Sequence, residues 1–145
     1  MTVSATELAD RAPACREIVV AGGCRWALRR WSPRPQAAAL IPRPTIVALH
    51  GFTGTGDDFA PLIRGPGAIP GHWLTVDSLG HGQSEAPPYG SDAYAIPAVA
   101  GALAEVLRGA GVDPSYLLVG YSMGARLALS LVLGESATVP QWPRP

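Results

Sequence analysis

The apolar positions of the chain fall into short continuous runs and longer stretches of helical spacing. Ile18-Val19-Val20 and Cys24 to Trp31 flank the pair Gly22-Gly23. That arrangement predicts a β-hairpin over Glu17–Trp31, because paired glycines accept the positive φ of a tight turn. Thr45 to His50, His72 to Asp77 and Tyr116 to Val119 are brief, almost wholly apolar runs. Strands buried on both faces of a parallel sheet have this character. Between them, Asp57 or Asp58 is placed to cap a short helix reaching Ile63. Asp92 is placed to cap a longer one through roughly Arg108, with Gly109 and Gly111 ending it. A last helix is expected from Met123 to about Leu133. Strands alternating with helices after an initial hairpin predict an α/β layer. No internal repeat is present.

Two segments break the pattern. Ser32 to Pro44 is rich in Pro and Ala without a period and reads as a surface connection. Beyond Leu133, three prolines in the last six residues fit neither helix nor central strand. The expected division is an N-terminal extension over 1–16, a partial α/β domain over 17–133 and an irregular tail over 134–145.

Charge narrows the partners. Eleven basic residues, all Arg, balance eleven acidic ones, which argues against a nucleic-acid or anionic-membrane partner. Cys15 and Cys24 form no C-x-x-C pair and have no ligand companions, so two free thiols in a reducing cytoplasm are expected. The first ten residues carry Glu7 and Asp10 and no apolar run, unlike a signal peptide. The stretch Ala93–Leu107 is interrupted by Pro97 and Glu105, too short to span a bilayer. A cytoplasmic protein is expected. No G-x-G-x-x-G follows a strand and no metal-ligand cluster is present, so no cofactor is implied.

The candidate chemistry sits at the ends of the apolar runs. Gly120-Tyr121-Ser122-Met123-Gly124 places a serine between glycines, where a strand turns sharply into a helix. A nucleophile elbow needs this context: the glycines let strand and helix approach, and the serine stands over the helix N-terminus. Ser122 is the candidate nucleophile. His50-Gly51-Phe52-Thr53-Gly54 also follows a buried strand. The backbone N–H groups of Phe52 and Met123 are the candidate pair of oxyanion donors. In Gly80-His81-Gly82, flanking glycines favour a structural turn role for His81 over a basic one.

Together, in this order, these motifs resemble the N-terminal half of the α/β-hydrolase superfamily. More narrowly, His50 to Phe59 and Gly120 to Arg126 resemble the menaquinone-pathway synthases that form succinyl-hydroxycyclohexadiene carboxylate by eliminating pyruvate. The resemblance implies a small-molecule, carboxylate-bearing substrate and a Ser-Asp-His triad containing Ser122. It also implies substrate contacts from Arg126, Tyr121 and His50. Independently, Arg126 lies one helical turn beyond Ser122, on the same face, where a guanidinium suits a carboxylate.

Leu79 replaces the family's usual proline before Gly80. A larger departure follows Ser122: 145 − 122 = 23 residues remain, with Glu135 as their acid and no histidine. In the superfamily both partners follow the serine. The chain is therefore expected to be a fragment of an enzyme, nearly inactive alone. Its last strand is expected to have an open edge. Two alternatives stand beside the synthase: an ester or carbon–carbon-bond hydrolase of the same fold, and a non-catalytic half-domain binding a partner through that edge.

Overall fold

The computed structural model describes residues 13–33, 44–88 and 90–135. Five strands, β1 (Cys15–Ala21), β2 (Cys24–Trp31), β3 (Thr45–Leu49), β4 (His72–Val76) and β5 (Leu117–Gly120), form one sheet in the order β1-β2-β4-β3-β5. β1 pairs antiparallel with β2, with Ala21 opposite Cys24 across the Gly22-Gly23 turn. β2 pairs antiparallel with β4, whereas β3 pairs parallel with both β4 and β5. The expected hairpin followed by parallel strands is what forms.

Among the described residues three helices cover the sheet: α1 (Ala60–Arg64), α2 (Ile96–Gly109) and α3 (Met123–Glu135). Side chains alternate across the strands, so Val47 and Leu49 face one way and Ile46 and Ala48 the other. On the first face, α2 buries Val99, Leu103, Val106 and Leu107, the i, i+4, i+7 stripe of an amphipathic helix, and α3 adds Leu127 and Leu131. On the second, Phe59 and Ile63 close over Trp31, Ile46 and Trp73. Helices thus lie on both faces, the second by a single short one.

Local signals explain two differences from the expected boundaries. The turn before α1 is capped by Thr55, not by Asp57 or Asp58. The Thr55 hydroxyl accepts from the Asp57 N–H at 3.3 Å, and the Asp58 carboxylate accepts from the Thr55 N–H at 3.0 Å. This is a capping box begun two residues before Asp57. Asp92 does not cap α2 either. It lies in a 3-10 turn, Ser91–Tyr94, and the helix starts at Ile96 because Pro97 is tolerated only in a first turn. At the far end α2 closes as expected through Gly111, at φ +66°. The Gly111 N–H donates to the Arg108 carbonyl and the Val112 N–H to that of Leu107, a Schellman pair.

β5 forms one edge of the sheet, with Leu117 exposed, and Leu129 and Leu133 of α3 are also exposed. The expected extension over 1–16 and tail over 134–145 fall largely outside the described residues. Within them, β1 already begins at Cys15 and α3 runs on to Glu135. Among the described residues no helix is long and apolar enough to cross a membrane. Leu103, fully enclosed between α2 and the sheet, anchors the larger core. Leu103→Ala should lower unfolding stability by about 2–5 kcal/mol in urea titration, whereas Leu129→Ala, at a position 64% exposed, should shift it by under about 1 kcal/mol.

Candidate functional site

Because β3, β4 and β5 run parallel, their C-terminal ends deliver three loops to one edge of the sheet. The chain passes from β3 to β4 on one side and then to β5 on the other. This is the switch point at which open α/β sheets form a crevice. The loops carry His50–Thr55, Asp77–Ser84 and Gly120–Ser122.

The third loop is the tightest. Ser122 has φ +52°, and among the described residues it is the one non-glycine with positive φ. Its glycine neighbours are there because no other residue fits. A methyl group at position 120 would stand 2.5 Å from the Gly124 carbonyl oxygen, and one at 124 would stand 2.0 Å from that of Leu49. α3 therefore begins directly against the end of β3, where the Tyr121 N–H donates to the Leu49 carbonyl at 3.0 Å. The Ser122 carbonyl accepts the first helical bonds, from Ala125 at 3.1 Å and Arg126 at 3.4 Å. Met123 opens α3, so its N–H has no carbonyl one turn back to reach.

The first loop lies against this elbow. A methyl group at position 51 would stand 3.0 Å from the Tyr121 ring and 3.5 Å from the Ser122 Cβ. Phe52, Tyr121, Ser122 and Arg126 are exposed, and Met123 is half-buried. The loop carrying Phe52 thus adjoins Tyr121 and Ser122, and His50 differs from these exposed residues. His50 is 1% exposed, and both its ring nitrogens are engaged by backbone. Nε2 accepts from the Ser78 N–H at 2.9 Å, leaving Nδ1 to donate to the Gly51 carbonyl at 2.7 Å. That fixes a neutral tautomer. Burial chiefly lowers its pKa, opposed by the Gly51 carbonyl and assisted by the neighbouring His81. His50 thereby holds the first loop to the second, with no polar atom left for a ligand.

The second loop contains the group that sequence reasoning passed over. Asp77 is fully buried, and its carboxylate accepts from the Arg29 guanidinium at 2.6 Å, the Gly56 N–H at 2.7 Å and the Gln83 N–H at 2.9 Å. Arg29, also buried, pairs through Nε with Asp57 at 2.9 Å. Burial alone would raise the Asp77 pKa, but the bonds from Arg29, Gln83 and Gly56 outweigh it and hold it below the ordinary value. A methyl group on Gly82 would stand 2.1 Å from this carboxylate, so the turn wraps the charge with backbone alone. The available signal was an arginine within an otherwise buried strand, which requires a buried partner.

Between the second loop, α2 and α3 lies a cavity of about 340 Å³. Phe52 and Met123 stand at it with His81 and Tyr94, and Val99 and Leu127 line it from the helices. Among the described residues, no three His, Cys, Asp or Glu side chains are grouped to hold a metal ion.

Because the Asp77 pKa is depressed in the folded state, its contribution is present above the unfolded-state pKa and is lost as pH falls through the folded one. Stability should decline below about pH 4. Asp77→Ala, which leaves the buried Arg29 only the exposed Asp57 as a partner, should cost about 3–5 kcal/mol and flatten that acid limb in pH-dependent urea unfolding.

Comparison with known proteins agrees with this layout. Residues 44–137 match the family model described as alpha/beta hydrolase fold. Over 98 residues the chain is 37% identical to the 2-succinyl-6-hydroxy-2,4-cyclohexadiene-1-carboxylate synthase of Yersinia pestis, covering 68% of this chain and 32% of that protein. It is 35% identical over 91 residues to the chloroplastic protein PHYLLO of Arabidopsis thaliana, covering 59% of this chain and 5% of that one. Among solved structures, the epoxide hydrolase VrEH1 of Vigna radiata superposes with a TM-score of 0.68 at 21% identity, over 90% of this chain and 42% of its own. The chain therefore spans about a third of the synthase it matches, and by its family match, its sheet order and its strand–turn–helix elbow it belongs to the α/β-hydrolase family.

Proposed function

We propose that this chain supplies the serine-bearing part of a pyruvate-eliminating synthase acting on a carboxylate-rich small molecule. In this reading Ser122 is the reacting serine, the N–H groups of Phe52 and Met123 face the developing oxyanion, and Arg126 and Tyr121 meet the substrate. His50 holds the loop that carries Phe52. The observation that carries the reading is Ser122 itself. A serine held at φ +52° between two glycines that no larger residue could replace is a costly way to build an ordinary turn. Its place at the N-terminus of α3 favours negative charge there. The 37% identity to the Yersinia pestis synthase supports the narrower choice.

An ester or carbon–carbon-bond hydrolase is the second reading. The largely apolar lining of the neighbouring cavity favours it, since Val99, Leu127, Phe52 and Met123 offer an uncharged surface.

The two are separated in a protein in which this chain is joined to the C-terminal region of the Yersinia pestis synthase. Pyruvate release should be measurable and fall by roughly 10⁴-fold or more in Ser122→Ala. Arg126→Ala should reduce it about 10- to 200-fold, the cost of an unpaired carboxylate, and leave turnover of a neutral ester unchanged. Equal loss on both substrates, or none on either, would exclude the synthase reading.

A further inference from the structure

We propose that His81 is a doubly protonated clamp that ties the turn after β4 to the loop carrying Phe52, and thereby positions that loop beside Ser122. Nδ1 of His81 lies 2.9 Å from the Leu79 carbonyl oxygen, and Nε2 lies against that of Phe52. Both partners are pure acceptors, so each nitrogen must donate. A neutral imidazole has a single N–H and can satisfy one of them; the imidazolium satisfies both. One bond lies within the turn. The other spans 29 residues and reaches the loop next to the elbow.

The contrast with His50 sharpens the assignment. The two rings lie 5.2 Å apart. One nitrogen of His50 receives an N–H, so His50 is complete when neutral, whereas His81 is complete only when charged. Two adjacent cations would repel, and the arrangement avoids this by fixing one ring uncharged. Phe52 also meets His81 edge-on, with ring centroids 5.7 Å apart.

The other charged or titratable groups nearby are accounted for. Asp77 is taken up by Arg29 and two backbone N–H groups, and Asp58 by the Thr55 N–H. Tyr94 approaches across Gly80, while α2 and α3 present Ile96, Val99, Met123 and Leu127 to the shared cavity. Among the described residues no carboxylate forms an ion pair with His81. The two carbonyl groups are thus the ring's polar partners, and loss of either ring N–H would free one end of the clamp.

The clamp is a property of the whole chain and does not need turnover to be seen; that it positions an oxyanion donor rests on the function proposed above. Ring-nitrogen NMR of the intact chain, followed from pH 5 to pH 9, tests it. Both His81 nitrogens should be protonated at the acid end while His50 stays a neutral Nδ1–H tautomer throughout. As His81 loses its proton, amide exchange at Phe52 and Thr53 should quicken about five- to tenfold with the same midpoint, the effect of one lost hydrogen bond. In His81→Gln that midpoint should vanish from the two amides. A single neutral His81 tautomer across the range, or loop amides indifferent to its titration, would overturn the proposal. The wild-type ring spectra decide even if the variant does not fold. An unreactive Ser122 would refute the proposed function and leave this result untouched.

Discussion

The buried carboxylate of Asp77 is the constraint on which the loop-bearing edge of the sheet depends. Removing a charge from water costs several kcal/mol unless its lone pairs are met. Here they are met by a guanidinium from β2, an N–H from the segment after β3 and an N–H from the turn after β4. Three stretches distant in sequence must converge for the charge to be tolerated. Apolar packing could bury the same volume, but it would not set their register. Arg29 extends the network to Asp57, so the capped turn before α1 is held as well.

Above this anchor, strand order and close packing do the rest. The parallel alignment of β3, β4 and β5 sends their three loops to one side. Close contact then sets the distances: Gly124 rests on the backbone of Leu49 and His50, and Gly51 rests on the side chains of Tyr121 and Ser122. At Gly124 no side chain would fit, so the approach of α3 to the end of β3 follows from main-chain geometry. Two histidines complete the joint, each bonding to backbone on both sides of the crevice.

Much of this was legible in the sequence because it follows from short-range patterns. The hairpin announced itself through Gly22-Gly23, the buried strands through their continuous apolar runs, and the elbow through its glycines. The helix starts were less legible. Several acceptors compete near each one, and Thr55 and Pro97 prevailed over the aspartates for reasons visible only once the neighbouring turn is in place. Least legible was the Asp77–Arg29 pair, whose partners lie 48 residues apart and on different strands. Nothing in a local window distinguishes Asp77 from a solvated aspartate at a strand end. The role of His50 was obscured similarly: the family resemblance implied ligand contact, and only its two backbone partners reveal that its ring is fully occupied.

The conformation of Ser122 has a consequence for how such a chain tolerates change. A left-handed backbone costs an L-residue about 1 kcal/mol or more, and glycine escapes that penalty. A sequence optimised for foldability alone would drift to glycine at this position. Under the function proposed above, selection for thermal robustness and selection for chemistry pull in opposite directions at a single codon. A survey that ranked positions by tolerance to stabilising substitution would single out Ser122 without reference to any substrate.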